Sequence, residues 1–118
     1  NGILGDEEIQ AIIPAINRAK ELGIQCSGPY PADTIFIESQ RKKYGAILAM
    51  YHDQGGIPFK MLAFDTGVNH TLNLPIIRTS VDHGTAWDIA WKDKASSSSL
   101  FKAIEMAITL AESRGFNC

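Results

Sequence analysis

The chain has no GxGxxG run and no GxxxxGK[ST] loop. Neither of the glycine-rich cradles that hold nucleotide phosphates at a helix start is therefore present, and any dinucleotide must be bound in another way. It also lacks a nucleophile elbow and any traceable Ser–His–Asp arrangement, which argues against kinase-like and hydrolytic enzymes. Its two cysteines, Cys26 and Cys118, form no CxxC pair, so we expect reduced, structural thiols rather than a disulfide framework. No apolar run approaches the roughly 20 residues of a transmembrane helix, and the amino end has no basic-then-apolar leader. The expectation is a soluble, cytoplasmic protein with no membrane partner. The 11 Lys and Arg are scattered and the net charge is −2, which leaves no electrostatic footprint for nucleic acid. Positive charge must act locally. Repeats and low-complexity linkers are also missing, since Ser96 to Ser99 read as helix caps.

What is present suits one small globular domain, with 118 residues of which 45% are hydrophobic. The chain starts at Asn1 without a Met and enters GILGDEEI at once, which leads us to expect a piece of a longer protein. Asp6 to Glu8 make an acidic first turn, and Ile9, Ile12, Ile13, Ile16 and Ala19 recur at helical spacing until Gly23, predicting a helix over 6–22 with a kink or a later true start at Pro14. A short strand over 24–26, a rigid turn at Gly28-Pro29-Tyr30-Pro31 and a helix through Ile37, with Pro31 in its first turn, follow. AILAMY is apolar without alternation, the pattern of a strand buried on both faces of a parallel sheet. His52 to Gly56 then fall where functional loops lie, at the carboxyl end of that strand. Further strands are expected over 60–64, 67–72 and 75–78, with a turn at Asp65-Thr66-Gly67, a short helix over 85–91 and a last helix on which Leu100, Ala103, Ile104, Ala107, Ile108 and Ala111 share a face.

The residues from Met50 to Ala86 carry the chemistry. In MYHDQGGIPFK, His52 can ligate a divalent cation or be a core histidine bonded to a carbonyl, and its acidic neighbour and following glycines favour the ligand. Asp53 can orient His52, bind a metal through water or cap the turn. Lys60, Asn69 and Arg78 stand nine residues apart, no helical or strand period, but a spacing that suits separate elements each bringing one side chain to an anion; the bland alternative is two solvated cations. Asp33 in PYPADTIF is a helix-start carboxylate or a catalytic one. Asp82-His83-Gly84-Thr85-Ala86 reads as a loop entering a helix, a place where backbone N–H groups favour phosphate. Trp87 and Trp91 are assigned to packing, and His70 receives no role.

GPYPADTIF, AMYHDQGGIPFK and GVNHTLNLPIIRTSVDHGTAWDIA together resemble the carboxyl-terminal part of the 4-hydroxythreonine-4-phosphate dehydrogenase family, in the family's order and spacing. The resemblance implies a three-layer α/β/α fold like that of isocitrate and isopropylmalate dehydrogenases, of which this chain is the carboxyl-terminal portion, and a homodimeric, two-domain enzyme using NAD and a divalent metal (Zn, Mg, Mn or Co). It implies that His52 is one of three metal histidines, the others lying upstream. Lys60, Asn69 and Arg78 match substrate-binding positions, Asp33, Asp53 and Lys60 catalytic ones, and His83, Gly84, Thr85 and Ala86 the cofactor side. The expected substrate is a phosphorylated hydroxy acid, 4-phosphooxy-L-threonine, oxidised and decarboxylated on the route to pyridoxal phosphate. GGIPFKMLAFDTGVN looks closer to paralogues that oxidise 4-phospho-D-threonate or D-erythronate in sugar-acid catabolism, and Trp91 stands where the wider group has Gly. A reading of a different class is a binding or dimerisation module without activity of its own.

Overall fold

Pro14 has no N–H to return to the carbonyl one turn back. In the computed structural model, which describes residues 3–115, the turn before it opens into a π-helical segment, Glu8–Ile12, where the Ile13 N–H reaches the Glu8 carbonyl. Regular helix α1, Ile13–Glu21, then runs on with the proline in its first turn. The helix expected over 6–22, with a kink or a later true start at Pro14, is thus observed as a π-helical turn that passes into regular helix at Ile13. It closes on a left-handed Gly23 (φ 81°). The Gly23 N–H reaches Lys20 O and the Ile24 N–H reaches Ala19 O, each at 3.0 Å, the bond pair that satisfies the last carbonyls of a glycine-capped helix.

One small domain was the compositional expectation, but the chain divides into two compact units, Asn1–Met50 and Tyr51–Cys118. In the first, α1 is followed by two single-turn helices, α2 (Ala32–Ile35) and α3 (Glu38–Arg41). Pro31 is the cap of α2 rather than a first-turn residue, and Ile35 is the buried apolar side chain. Cys26 carries a free thiol that donates to Ile16 O at 3.6 Å; Cys118 lies outside the described residues. Two expected strands are corrected here. Neither 24–26 nor the AILAMY run joins a β-ladder among the described residues, and Leu48 in that run is 86% exposed. An apolar, unalternating run is strand-like only when neighbours supply hydrogen bonds on both edges and cover on both faces, and the short helices of this unit supply neither.

The second unit is mixed α/β: helix α4 (His52–Ala63), a hairpin of β1 (Val68–Thr71) and β2 (Arg78–Val81), a 3-10 turn at Trp87–Ile89, and α5 (Ser98–Ser113). The α/β class expected from the sequence stands. What differs is local. The segments read as a loop at 52–56 and a strand at 60–64 are one helix, in spite of Gly55, Gly56 and Pro58. Helix propensity is a weak prior. Here Asp53 sits in the favourable first turn and Gln54 Oε1 accepts the Tyr51 N–H at 3.2 Å, half of a capping box. The turn at 65–67 forms as expected, with the Thr66 and Gly67 N–H groups on Ala63 O. β2 begins at Arg78, where the expected strand ended, because Pro75 cannot donate to a ladder. The helix expected over 85–91 shrinks to the 3-10 turn behind a left-handed Ala86 (φ 48°).

The strands pair antiparallel, Val68 with Val81, Asn69 with Ser80, His70 with Thr79 and Thr71 with Arg78. Alternation therefore gives one face to Val68, His70, Thr79 and Val81 and the other to Asn69, Thr71, Arg78 and Ser80. α5 lies against the first face, to which the Thr79 hydroxyl binds it by donating to Ala103 O at 2.8 Å. Its packed residues are small, Ser99 and Ala103 being buried and Ala107 half-buried. Leu100, Ile104 and Ile108, expected on the same face, are exposed. Short side chains let the helix approach the hairpin closely and leave the bulkier edge of the stripe outside. No helix among the described residues is long and apolar enough to cross a membrane.

Gly67 marks a close approach to both a ring and a backbone carbonyl. A Cβ there would stand 2.8 Å from Phe59 Cε1 and 2.9 Å from Ala63 O, so Gly67→Ala is expected to destabilise the fold by about 1–3 kcal/mol, read as a lowered thermal unfolding midpoint.

Candidate functional site

Lys60, Asn69 and Arg78 come from three elements, α4, β1 and β2, as their irregular spacing led us to expect. The hairpin register puts Asn69 and Arg78 on one face, the face opposite α5, and both are exposed. Arg78 Nη1 donates to Thr71 Oγ1 at 2.9 Å across the ladder. A neutral hydroxyl fixes the guanidinium there without cancelling its charge. Among the described residues Arg78 forms no ion pair, whereas Lys60 does, its Nζ lying 2.8 Å from Asp82 Oδ2. Asp82 follows β2 on the same alternation as Arg78 and Ser80, so the cation from α4 meets the hairpin at the end of the open face.

Asp82 is held in its turn. Its backbone N–H donates to Ser99 Oγ at 3.3 Å, and the Ser99 hydroxyl donates to Gly67 O at 2.7 Å. Ser99 is 5% exposed. A single hydroxyl thus joins the start of α5, the end of β2 and the entry to β1. Sequence reading passed over it, because four consecutive serines all look like caps; burial distinguishes this one, and the Ser97 side chain at the capping position makes no cap bond at all.

His52 and Asp53 stand in the first turn of α4, both exposed. Gly56 leaves the space over the imidazole open, since a Cβ there would come 3.3 Å from His52 Nε2. That opening suits a metal-ligating nitrogen. Two adjacent residues offer an incomplete ligand set, however, and no group of three His, Cys, Asp or Glu able to hold a metal occurs among the described residues. His83, Gly84, Thr85 and Ala86 form the irregular segment between β2 and the 3-10 turn. His83 Nδ1 lies 3.1 Å from Gly84 O; a carbonyl only accepts, so Nδ1 is the donor in that contact. His70, left without a role, belongs to the α5 side of the hairpin. Trp87 and Trp91, assigned to packing, are exposed, Trp91 at 102%. Its backbone is left-handed (φ 61°), and it finds no cover among the described residues.

Asp33 belongs to the first unit, in the first turn of α2. Nearby, the Tyr30 and Tyr44 rings meet at a centroid distance of 5.7 Å. Hydrogen bonding with Ser27 first, and then with Tyr44, holds the Tyr30 phenol below its ordinary value. The bond with Tyr30 pushes Tyr44 above it.

The model of the family described as "Pyridoxal phosphate biosynthetic protein PdxA" matches residues 1–107. A relative named 4-hydroxythreonine-4-phosphate dehydrogenase, from Desulforapulum autotrophicum, is 55% identical over 117 residues, which make up 99% of this chain and 34% of the relative. One named D-threonate 4-phosphate dehydrogenase, from Salmonella typhimurium, is 51% identical over 111 residues, 94% of this chain and 34% of its own length. The crystal structure of a 4-hydroxythreonine-4-phosphate dehydrogenase from Klebsiella pneumoniae superposes with a TM-score of 0.77 at 50% identity, over 94% of this chain and 34% of that one. The chain spans about a third of the length of the curated relatives it matches.

Replacing Ser99 by Ala removes the Gly67 carbonyl's donor and the Asp82 N–H's acceptor together. The expected cost is about 1–3 kcal/mol, against a change within about 0.5 kcal/mol for the less buried Ser98→Ala, both measured by chemical denaturation.

Proposed function

The chain belongs to the pyridoxal phosphate biosynthetic protein PdxA family, and from that premise we propose that it is the carboxyl-terminal portion of a cytoplasmic, homodimeric, NAD- and divalent-metal-dependent dehydrogenase that oxidises and decarboxylates 4-phosphooxy-L-threonine. The observation that carries this reading is the open face of the hairpin, where Asn69 stands with an Arg78 that meets no carboxylate among the described residues, and Lys60 lies at its end. Such a face binds a phosphorylated hydroxy acid. Arg78 holds the anionic group through its planar fork of donors, Asn69 offers a hydrogen bond without charge, and Lys60 carries protons at Nζ within reach of the same ligand.

A divalent metal, when bound, lowers the pKa of a hydroxyl that it holds and stabilises charge on a neighbouring oxygen. His52 is the residue of this chain suited to hold it, with Asp53 beside it. The remaining ligands must come from outside the described residues. His83, Gly84, Thr85 and Ala86 are the residues suited to the dinucleotide, which supplies the hydride acceptor; the exposed His83 and the side-chain-free Gly84 leave the segment open to it. Exposed apolar side chains such as Leu48, Met61 and Trp91 support the reading that the rest of a longer chain, and a second copy, cover this one.

A second reading changes the substrate alone. The GGIPFKMLAFDTGVN stretch and the 51% identity to a D-threonate 4-phosphate dehydrogenase support oxidation of 4-phospho-D-threonate or D-erythronate. Assays of the full-length protein with each phosphorylated acid, following NADH formation, decide between them. Activity on neither overturns the dehydrogenase reading.

Three outcomes are expected. The isolated 118-residue chain turns over no substrate. A chelator abolishes NADH formation by the full-length enzyme and a divalent metal restores it. Arg78→Ala lowers kcat/KM by about 10–100-fold, mainly through KM, and Arg78→Lys restores only part because it loses the bidentate fork.

A further inference from the structure

We propose that Asp82 is the residue that positions Lys60, so that Lys60 works at the bound ligand as an aimed hydrogen-bond donor while Arg78 alone supplies the net positive charge. The inference rests on the functional reading above and goes a step further, by giving the two cations of the site different tasks.

The pair is 2.8 Å long, between a Lys60 side chain that is 45% exposed and an Asp82 side chain that is 21% exposed. An ion pair so open to water contributes little to stability, so its stabilising value does not account for it. The two ends are anchored very differently. Lys60 is a flexible stem leaving an exposed helix face, with the Phe64 ring 6.0 Å from its Nζ. Asp82 sits on backbone fixed by the Ser99 hydroxyl, which is buried and itself bonded to Gly67 O. The rigid partner therefore decides where the ammonium stands.

An ammonium carries three N–H donors and no acceptor. Asp82 takes one and leaves two for a ligand. The Asp82 carboxylate also offsets the lysine charge, so long-range attraction for a phosphate or carboxylate falls to Arg78, whose partner at 2.9 Å is the uncharged Thr71 hydroxyl. Removing the Asp82 charge should accordingly leave anion capture in place and spoil the direction of the Lys60 donors. That effect appears in kcat rather than KM.

The test uses the full-length protein and two readouts on Asp82→Asn: the rate at which Lys60 is reductively methylated, followed by peptide mass spectrometry, and the steady-state constants for 4-phosphooxy-L-threonine and 4-phospho-D-threonate. The expected result is methylation of Lys60 faster by about threefold or more, with kcat down about tenfold and KM changed by less than about threefold. Asp82→Glu keeps a carboxylate near Lys60, and should restore protection from methylation and part of kcat. It also serves as the deciding variant if Asp82→Asn does not fold, since a repositioned carboxylate still has to lower kcat more than it raises KM. Unchanged methylation and kcat in a folded Asp82→Asn overturn the proposal, as does a rise in KM with kcat intact. If the wild-type protein oxidises neither acid, the dehydrogenase reading falls, and the methylation rates alone decide whether Asp82 holds Lys60.

Discussion

The buried hydroxyl of Ser99 is the constraint on which the second unit depends. It gives its proton to the Gly67 carbonyl and takes the Asp82 N–H, so three segments distant in sequence meet at one oxygen. Continued through covalent and hydrogen bonds, the path closes on itself: Gly67 donates to the Ala63 carbonyl at the end of α4, α4 carries Lys60, and Lys60 returns to Asp82. A buried polar group left unpaired costs more than a satisfied one gains. The buried Ser99 hydroxyl and the backbone groups it joins therefore hold one another to a single arrangement, and the water-exposed Lys60–Asp82 pair closes the ring without adding much strength.

That arrangement sorts strength from accessibility. The bonds nearest the α5 side, buried at Ser99 and half-buried at the Thr79–Ala103 link, fix the backbone. The side chains suited to ligand contact, Asn69, Arg78 and Lys60, stand on the exposed side of the same hairpin and helix. Antiparallel pairing makes this possible with few residues, because alternation sends one set of side chains into the α5 contact and the neighbouring set away from it. The residues best placed to recognise an anion are thereby carried on a backbone whose position is settled on its opposite face.

Much of the candidate site was legible in the order of residue types. Lys60, Asn69 and Arg78 stand out because charged and amide side chains separated by glycines and short apolar stretches suit separate elements, and His52 because an acid and two glycines accompany it. Asp82 and Ser99 were harder to weigh. Asp82 lies in a motif dominated by its glycine and histidine, and Ser99 is one of four identical residues, of which only the fold selects one for burial. Secondary structure failed where context outweighs local preference. Glycines and a proline in 55–58 suggested a loop, yet capping at Tyr51 and Gln54 and the Phe59–Gly67 contact hold a helix there. AILAMY suggested a buried strand, yet no partner strand reaches it among the described residues.

The sequence by itself determined the α/β class, the interruption of the first helix near Pro14, the turn at 65–67 and the kinds of side chain available for an anion, because backbone restrictions and hydrogen-bonding chemistry belong to single residues and near neighbours. Only the tertiary structure decided which of these act together. The pairing of Asn69 and Arg78 on one face follows from a strand register, and the junction of Lys60 with Asp82 from a closed path of contacts spanning residues 60–99. Such choices depend on which distant groups can satisfy one another once water is excluded, and no local pattern contains that information.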